Sequence, residues 1–244
     1  MLNFLTPYRQ RQRIAEAKSA RFDGHFIGRD GKTSAREYGH SVLTPEGDPQ
    51  KPLSFMVNGM NCTKDQHVER MRTLAESGRA VIGVYNATKG AKRDLLQSVG
   101  DKLDKGHNAA VSTVRHLVRQ AVSTGQQLSL VGHSQGALVC SRALWQVYDQ
   151  LTDQVSASVA KHMLSKVQVE TLAGAAQSYP PGPRYTHRAI AGDPIVKLTG
   201  LASPLSAKGS SDATSVFISE TACPKKSLES THAFEAFFSP PNQS

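Results

Sequence analysis

The chain predicts an α/β fold, a mostly parallel central sheet with helices on both faces, and three observations carry that reading. Short apolar runs of strand length alternate along the 244 residues with stretches of helical apolar spacing. The runs Leu53–Val57, Val81–Tyr85 and Leu128–Val131 are dominated by apolar residues rather than alternating, as expected of strands covered on both faces. A length of 244 residues, 39% hydrophobic and 20% charged, suits one globular domain with a full core. The expected organisation is a basic lead-in helix over residues 1–20 and a single domain over residues 21–244.

Element by element, residues 1–20 read as a polar, basic helix. Residues 22–27 and 38–43 are short β-like runs on either side of the turn signal Asp30-Gly31, and suggest an opening antiparallel pair. A Pro- and Gly-bearing linker over 45–52 leads into the strand Leu53–Val57. Thr63 is placed as an N-cap with Gln66 at the capping-box position. Val68, Met71 and Leu74 or Ala75 then recur at helical spacing up to the stop at Gly78. The strand Val81–Tyr85 follows, then a helical stretch over 92–105. A second helix over 108–124 carries Ala110, Val114, Leu117, Val118 and Ala121 on one face, and Gly125 closes it. Beyond the strand Leu128–Val131, helices are expected over 135–152 and 155–165, and strands over 167–172, 187–191 and 215–219. A loop spans 174–185, a Ser/Gly/Ala-rich linker spans 202–215, and a last helix is expected over 232–238.

The chemistry-bearing feature is Gly132-His133-Ser134-Gln135-Gly136, directly after the run Leu128–Val131 and directly before a helical stretch. A serine turned so sharply between strand and helix needs very small residues at ±2, because larger side chains would collide with the adjoining strand and helix. The hydroxyl is then held out at the top of the sheet. The helix N-terminus beside it favours a developing negative charge. Ser134 is the candidate nucleophile; the bland alternative is a Gly-rich turn without catalysis.

A serine hydroxyl needs a base within hydrogen-bond reach and an acid to orient that base. After Ser134 the chain offers His162, His187 and His232. His162 falls in a helical run. His187 opens its expected strand, which puts it at the amino edge of a parallel sheet. His232 follows the last expected strand, at the carboxyl edge where ligands bind, and is the candidate base. Asp193 follows the strand 187–191 at the same edge and is the candidate acid, ahead of Asp212, which precedes its strand, and Glu170, which lies within one. For an oxyanion hole the candidate donors are the backbone amides of Gln135 and of Met60, in the loop Asn58-Gly59-Met60-Asn61, with Asn58 and Asn61 as braces. Each residue also has a purely local alternative: a loop histidine, a turn-capping aspartate, an ordinary Asn-Gly turn.

Together these residues resemble the α/β-hydrolase superfamily, and within it the bacterial lipases and esterases. The resemblance rests on the GHSQG elbow after an apolar strand and on the chain order Ser134, Asp193, His232, and it covers about residues 50–240. Strand-Asn-Gly-x-Asn stands where the family usually has strand-His-Gly-x. The short segment after residues 167–172 implies a lid that is short or absent. The resemblance implies a serine hydrolase that cleaves carboxylic esters through an acyl-enzyme, with a small ester or lipid as substrate and no metal or organic cofactor. Thioesterase or peptidase chemistry on the same fold stays open, as does a non-catalytic module that binds lipid or protein.

The formal net charge is +9. It favours anionic surfaces, and Arg9, Arg11, Arg13, Lys18 and Arg21 make the first segment the most basic. An anionic membrane surface and a merely basic soluble protein both fit. A nucleic-acid partner is disfavoured, because the charges form no block with interleaved aromatics. The three cysteines, Cys62, Cys140 and Cys223, form no metal-ligand spacing and read as reduced thiols. No run approaches the roughly 18–20 apolar residues of a membrane span. Residues 1–22 lack a charged region ahead of an apolar core, so the expectation is synthesis in the cytoplasm, with export by a route that reads no cleavable signal left open. The sequence carries no signal for oligomeric state.

Overall fold

The computed structural model describes residues 14–15, 17–87, 108–176, 178–190, 193, 213–218 and 234–238. Eight strands form one sheet: β1 (Phe26–Ile27), β2 (Thr33–Ser34), β3 (Leu53–Val57), β4 (Ala80–Val84), β5 (Leu128–His133), β6 (Val167–Leu172), β7 (Arg184–Ile190) and β8 (Ala213–Ile218). Their spatial order is β2-β1-β4-β3-β5-β6-β7-β8. β1 runs antiparallel to both neighbours, and the pairings from β4 across to β8 are all parallel. Four helices are described: α1 (Lys64–Ala75), α2 (Ala109–Thr124), α3 (Gln135–Thr152) and α4 (Ala157–Leu164).

The strand order explains the two layers. The chain steps one way from β3 to β4, then jumps back over β3 to β5 and continues in that direction. Right-handed crossovers in opposite directions must put their helices on opposite faces. α1 accordingly packs Val68, Met71 and Leu74 against Met56, Val81 and Val131 on one face. On the other face, Val114 and Leu117 of α2, Val139 and Leu144 of α3 and Leu164 of α4 cover Phe55, Val57, Ile82 and Leu130. Within β3, Phe55 and Val57 face one layer and Met56 the other, the alternation a pleated strand imposes. The reversal of order leaves a crevice between the carboxyl ends of β3 and β5.

The helix boundaries follow local chemistry. Thr63 accepts from the Gln66 N–H while Gln66 Oε1 accepts from the Thr63 N–H, a complete capping box. Asn108 caps α2 by accepting from Val111 N–H at 2.9 Å, and Gly125 ends it in the left-handed conformation. Of the expected lead-in helix, residues 14, 15 and 17–19 are helical; residues 1–13 and the expected helix over 92–105 lie outside the described residues. The connection between β6 and β7 is short and carries no helix among the described residues.

Three local expectations are corrected. The opening pair is Phe26–Ile27 with Thr33–Ser34, and no strand runs over 38–43. The turn at Asp30 and Gly31, both at positive φ, returns the chain at once, so the partner strand lies at Thr33. Tyr38 and Val42 instead stay exposed, at 76% and 69%, and bury nothing that would hold a strand. The strand expected to open at His187 begins at Arg184, which makes His187 a mid-strand core residue. The helix expected over 232–238 is a 3-10 turn over Phe234–Phe237 among the described residues.

Two core histidines give the fold a pH dependence. Burial, with Arg70 adding to it, lowers the pKa of His67 to about 3. Burial lowers that of His187 to about 4. Both are held neutral in the folded state while the unfolded chain takes up protons below about pH 6.5. Stability is therefore full above pH 6.5 and falls as the pH drops toward 4, by about 1.4 kcal/mol per pH unit for each histidine. Urea unfolding at steps from pH 7 to pH 4.5 should show His187→Asn with the shallower decline; a slope equal to wild type would contradict this origin.

Candidate active site

Ser134 sits between β5 and α3 with φ 53 and ψ −119, a conformation that L-residues occupy only under constraint. The constraint comes from both flanks. The Ser134 N–H donates to the Leu172 carbonyl at 2.9 Å, and the Ser134 carbonyl accepts from Ala137 N–H and Ala175 N–H, each at 3.1 Å. A Cβ on Gly132 would lie 2.7 Å from the Ala137 nitrogen, and one on Gly136 would land on the Val57 carbonyl oxygen. The two glycines are thus demanded by α3 and by β3 respectively, the steric reason anticipated from their spacing.

The loop after β3 closes onto this elbow. A Cβ on Gly59 would lie 2.9 Å from Ser134 Cβ and 3.1 Å from the His133 carbonyl oxygen, so only a bare backbone fits there. Below it, fully buried Asn58 donates from Nδ2 to the Gly59 carbonyl at 2.9 Å and to the Asn86 carbonyl at 2.8 Å. The Gly59 carbonyl and the Met60 N–H belong to one planar trans peptide and point in opposite directions. Pinning the carbonyl on Asn58 therefore turns the Met60 N–H away from the buried amide. Gln135 is the first residue of α3, and first-turn amides have no acceptor within their own helix.

Asn86 stands just beyond β4, and no local motif marks it. Its N–H donates to Asn58 Oδ1 at 2.8 Å and its Nδ2 donates to Gln135 Oε1 at 2.9 Å. The available signal was a repeated pattern: two buried strand runs, Leu53–Val57 and Val81–Tyr85, are each followed by asparagine. Asn58 braces the loop as expected. Asn61, the other expected brace, lies in the same turn at φ 52.

Asp193 is buried at 1% exposure just past β7, and its N–H donates to the Ile190 carbonyl at 3.1 Å. The register sets His133 beside Leu172 and Leu172 beside Arg188, so Ser134 and Asp193 both emerge at the carboxyl rim, two strands apart. The rival Glu170 is engaged by Arg79 at 2.7 Å and Arg188 at 2.6 Å. His232 and Asp212 lie outside the described residues. Phe234, two residues along the chain from His232, is fully buried and meets the His133 ring edge-on at 5.5 Å. Glu235 pairs with Arg70 of α1 at 3.3 Å. The other histidines after Ser134 are elsewhere: His162 is in the last turn of α4, and the Nδ1 of His187 shares a 2.8 Å hydrogen bond with Thr171 Oγ1 inside the sheet.

Gly136→Ala should destabilise the fold by about 1–3 kcal/mol, since the methyl group must displace β3 or the elbow. Denaturant unfolding checks this, and a midpoint within error of wild type would mean the packing between elbow and strand is looser than described.

A family model described as "Putative serine esterase (DUF676)" matches residues 49–176, just over half of the chain, including β3, the Asn58–Asn61 loop and the elbow. No curated protein matches the sequence. Among solved structures, the chain is similar to an esterase of Pyrobaculum calidifontis, with 12% identity, a TM-score of 0.49, and 94% of this chain and 86% of that one covered. It is similar to a thermostable carboxylesterase, EstE1, from a metagenomic library, with 10% identity, a TM-score of 0.46, and coverage of 94% and 90%. It is also similar to esterase B of Lactobacillus rhamnosis, with 12% identity, a TM-score of 0.45, and coverage of 78% and 70%. With the elbow and its flanking loop in the matched segment, the chain belongs to the family described as "Putative serine esterase (DUF676)".

Proposed function

We propose that the protein hydrolyses carboxylic esters through a Ser134–His232–Asp193 triad and an acyl-enzyme. The observation that carries the reading is the strained Ser134 elbow at the switch between β3 and β5, with Gly59 packed directly on it. His232 takes the Ser134 proton as Oγ attacks the ester carbonyl. The tetrahedral oxyanion is held by the N–H groups of Met60 and Gln135, and its collapse expels the alcohol with the proton from His232. Water, deprotonated by His232, then attacks the acyl-enzyme and releases the acid and free Ser134. Asp193 orients the imidazole and compensates its transient positive charge.

The described residues favour this arrangement. Strands two apart in a sheet are separated by about 10 Å. An imidazole hydrogen-bonded at both ends bridges roughly 8 Å, which suits a base between Ser134 and Asp193. Phe234 brings the segment that follows His232 against His133. The buried Asn58 side chain, by holding the Gly59 carbonyl, favours an outward Met60 N–H.

Ser134→Ala should lose ester turnover and covalent labelling by a fluorophosphonate. His232→Ala and Asp193→Asn should each lower kcat on the order of 10⁴-fold with the fold intact. A folded Ser134→Ala protein with wild-type turnover would contradict the reading. The +9 charge further favours esters presented at an anionic lipid surface. Hydrolysis of anionic vesicles should then exceed that of neutral ones and fall with added salt; rates indifferent to both would rule the preference out.

A further inference from the structure

We infer that Asn86 is a positioning residue that sets the spacing between the two oxyanion donors; the inference rests on the hydrolase reading above. Asn86 lies at 1% exposure between the two loops that supply those donors, and neither donor is on its own strand. Toward the elbow, its Nδ2 donates to Gln135 Oε1 at 2.9 Å, so the residue after the nucleophile is held by its side chain as well as by the helix. Toward β3, its backbone forms a reciprocal pair with the Asn58 side chain: Asn86 N–H to Asn58 Oδ1 and Asn58 Nδ2 to the Asn86 carbonyl, both at 2.8 Å. A longer contact of 3.4 Å runs from Asn86 Nδ2 to the Asn58 carbonyl.

The remaining Asn58 bond goes to the Gly59 carbonyl, whose peptide carries the Met60 N–H. One buried residue thus connects, through its backbone and Asn58, the peptide that aims the Met60 donor and, through its side-chain amide, which also makes the longer contact to the Asn58 carbonyl, the residue that supplies the Gln135 donor. Buried amides with satisfied donors are rigid because every alternative orientation leaves a polar group unpaired in a low-dielectric interior. Loop 58–61 packs on the elbow through Gly59, which has no side chain of its own to hold it there. Asn86 supplies the lock, and its effect falls on the transition state, where the oxyanion forms, rather than on substrate binding.

The test compares wild type with Asn86→Ala, Asn86→Asp and Gln135→Leu. Three readings are taken: kcat and KM on a p-nitrophenyl ester, the rate of Ser134 phosphonylation, and the hemiketal oxyanion pKa of a ¹³C-labelled trifluoromethyl ketone adduct read by NMR. Removing a direct oxyanion donor costs roughly 10²–10³-fold, so loss of the lock should lower kcat and phosphonylation roughly 10–100-fold. KM should stay within about 3-fold, the hemiketal pKa should rise by about one unit or more, and Asn86→Ala should combine non-additively with Gln135→Leu. Ser156→Ala, at the cap of α4 past the far end of α3 from Ser134, provides a destabilised control that should leave kcat and the hemiketal pKa unchanged. Should Asn86→Ala not fold, the near-isosteric Asn86→Asp and Gln135→Leu carry the same expectation. Wild-type kcat and hemiketal pKa in a folded Asn86 variant would overturn the inference. A wild-type protein that forms no adduct at Ser134 would instead overturn the parent hydrolase reading, and the lock with it.

Discussion

The structure depends on how closely β3 approaches the turn between β5 and α3. Gly136 faces the Val57 carbonyl, Gly132 faces Ala137 and Gly59 faces Ser134. The backbone of β3 meets Gly136 directly, and Gly59 lies against the Ser134 and His133 side chains. That closeness allows Ser134 to hold its positive φ, because hydrogen bonds to Leu172, Ala137 and Ala175 clamp the peptide from both sides. Strain of this kind costs on the order of 1–3 kcal/mol and persists only where surrounding bonds over-determine it. Here the cost is met by a parallel sheet buried on both faces, with Leu130 and Val131 of β5 pointing into opposite layers.

The strand order then decides where chemistry can occur. Because the chain reverses direction at β3, the loops after β3 and β5 diverge to opposite faces and leave a crevice at their carboxyl ends. The elbow, the Asn58–Asn61 turn and Asp193 all stand on that rim. The polar groups beneath the rim serve fixation. Asn58 and Asn86 exchange hydrogen bonds in full burial, and Thr171 engages His187. The Cys140 thiol is pushed up to about 12 by burial and so takes no part in nucleophilic chemistry near neutral pH.

The sequence was most legible where one local rule decided the outcome. Thr63 with Gln66, Gly125 after the second helix and the glycines flanking Ser134 each specify a backbone geometry over a few residues, and each is realised. It was less legible where tertiary contacts decide. Around Tyr38–Val42 only His40 finds aromatic neighbours, Phe26 and Phe55, while Tyr38 and Val42 stay exposed, so the run does not alternate into a strand. His187 looked like the start of a strand because the Pro-rich segment before it hides the true start at Arg184; its burial depends on Thr171, Tyr179 and Tyr185, which no local pattern reveals. Asn86 carries no local signal because its partners, Asn58 and Gln135, are distant in sequence and meet only through the strand order. Ser134 and Asp193 reach one rim as their positions after parallel strands required, while His232 lies outside the described residues.

In the proposed reaction Ser134 attacks an acyl carbon whose oxygen settles between the Met60 and Gln135 amides while His232 stands between Ser134 and Asp193. A crystal structure of the protein reacted with an alkyl phosphonate tests all of this at once. The account predicts phosphorus bonded to Ser134 Oγ, the phosphonyl oxygen about 2.7–3.1 Å from both amide nitrogens, and His232 bridging Ser134 and Asp193. An adduct on another residue, a phosphonyl oxygen turned to solvent, or an imidazole remote from both partners would contradict it.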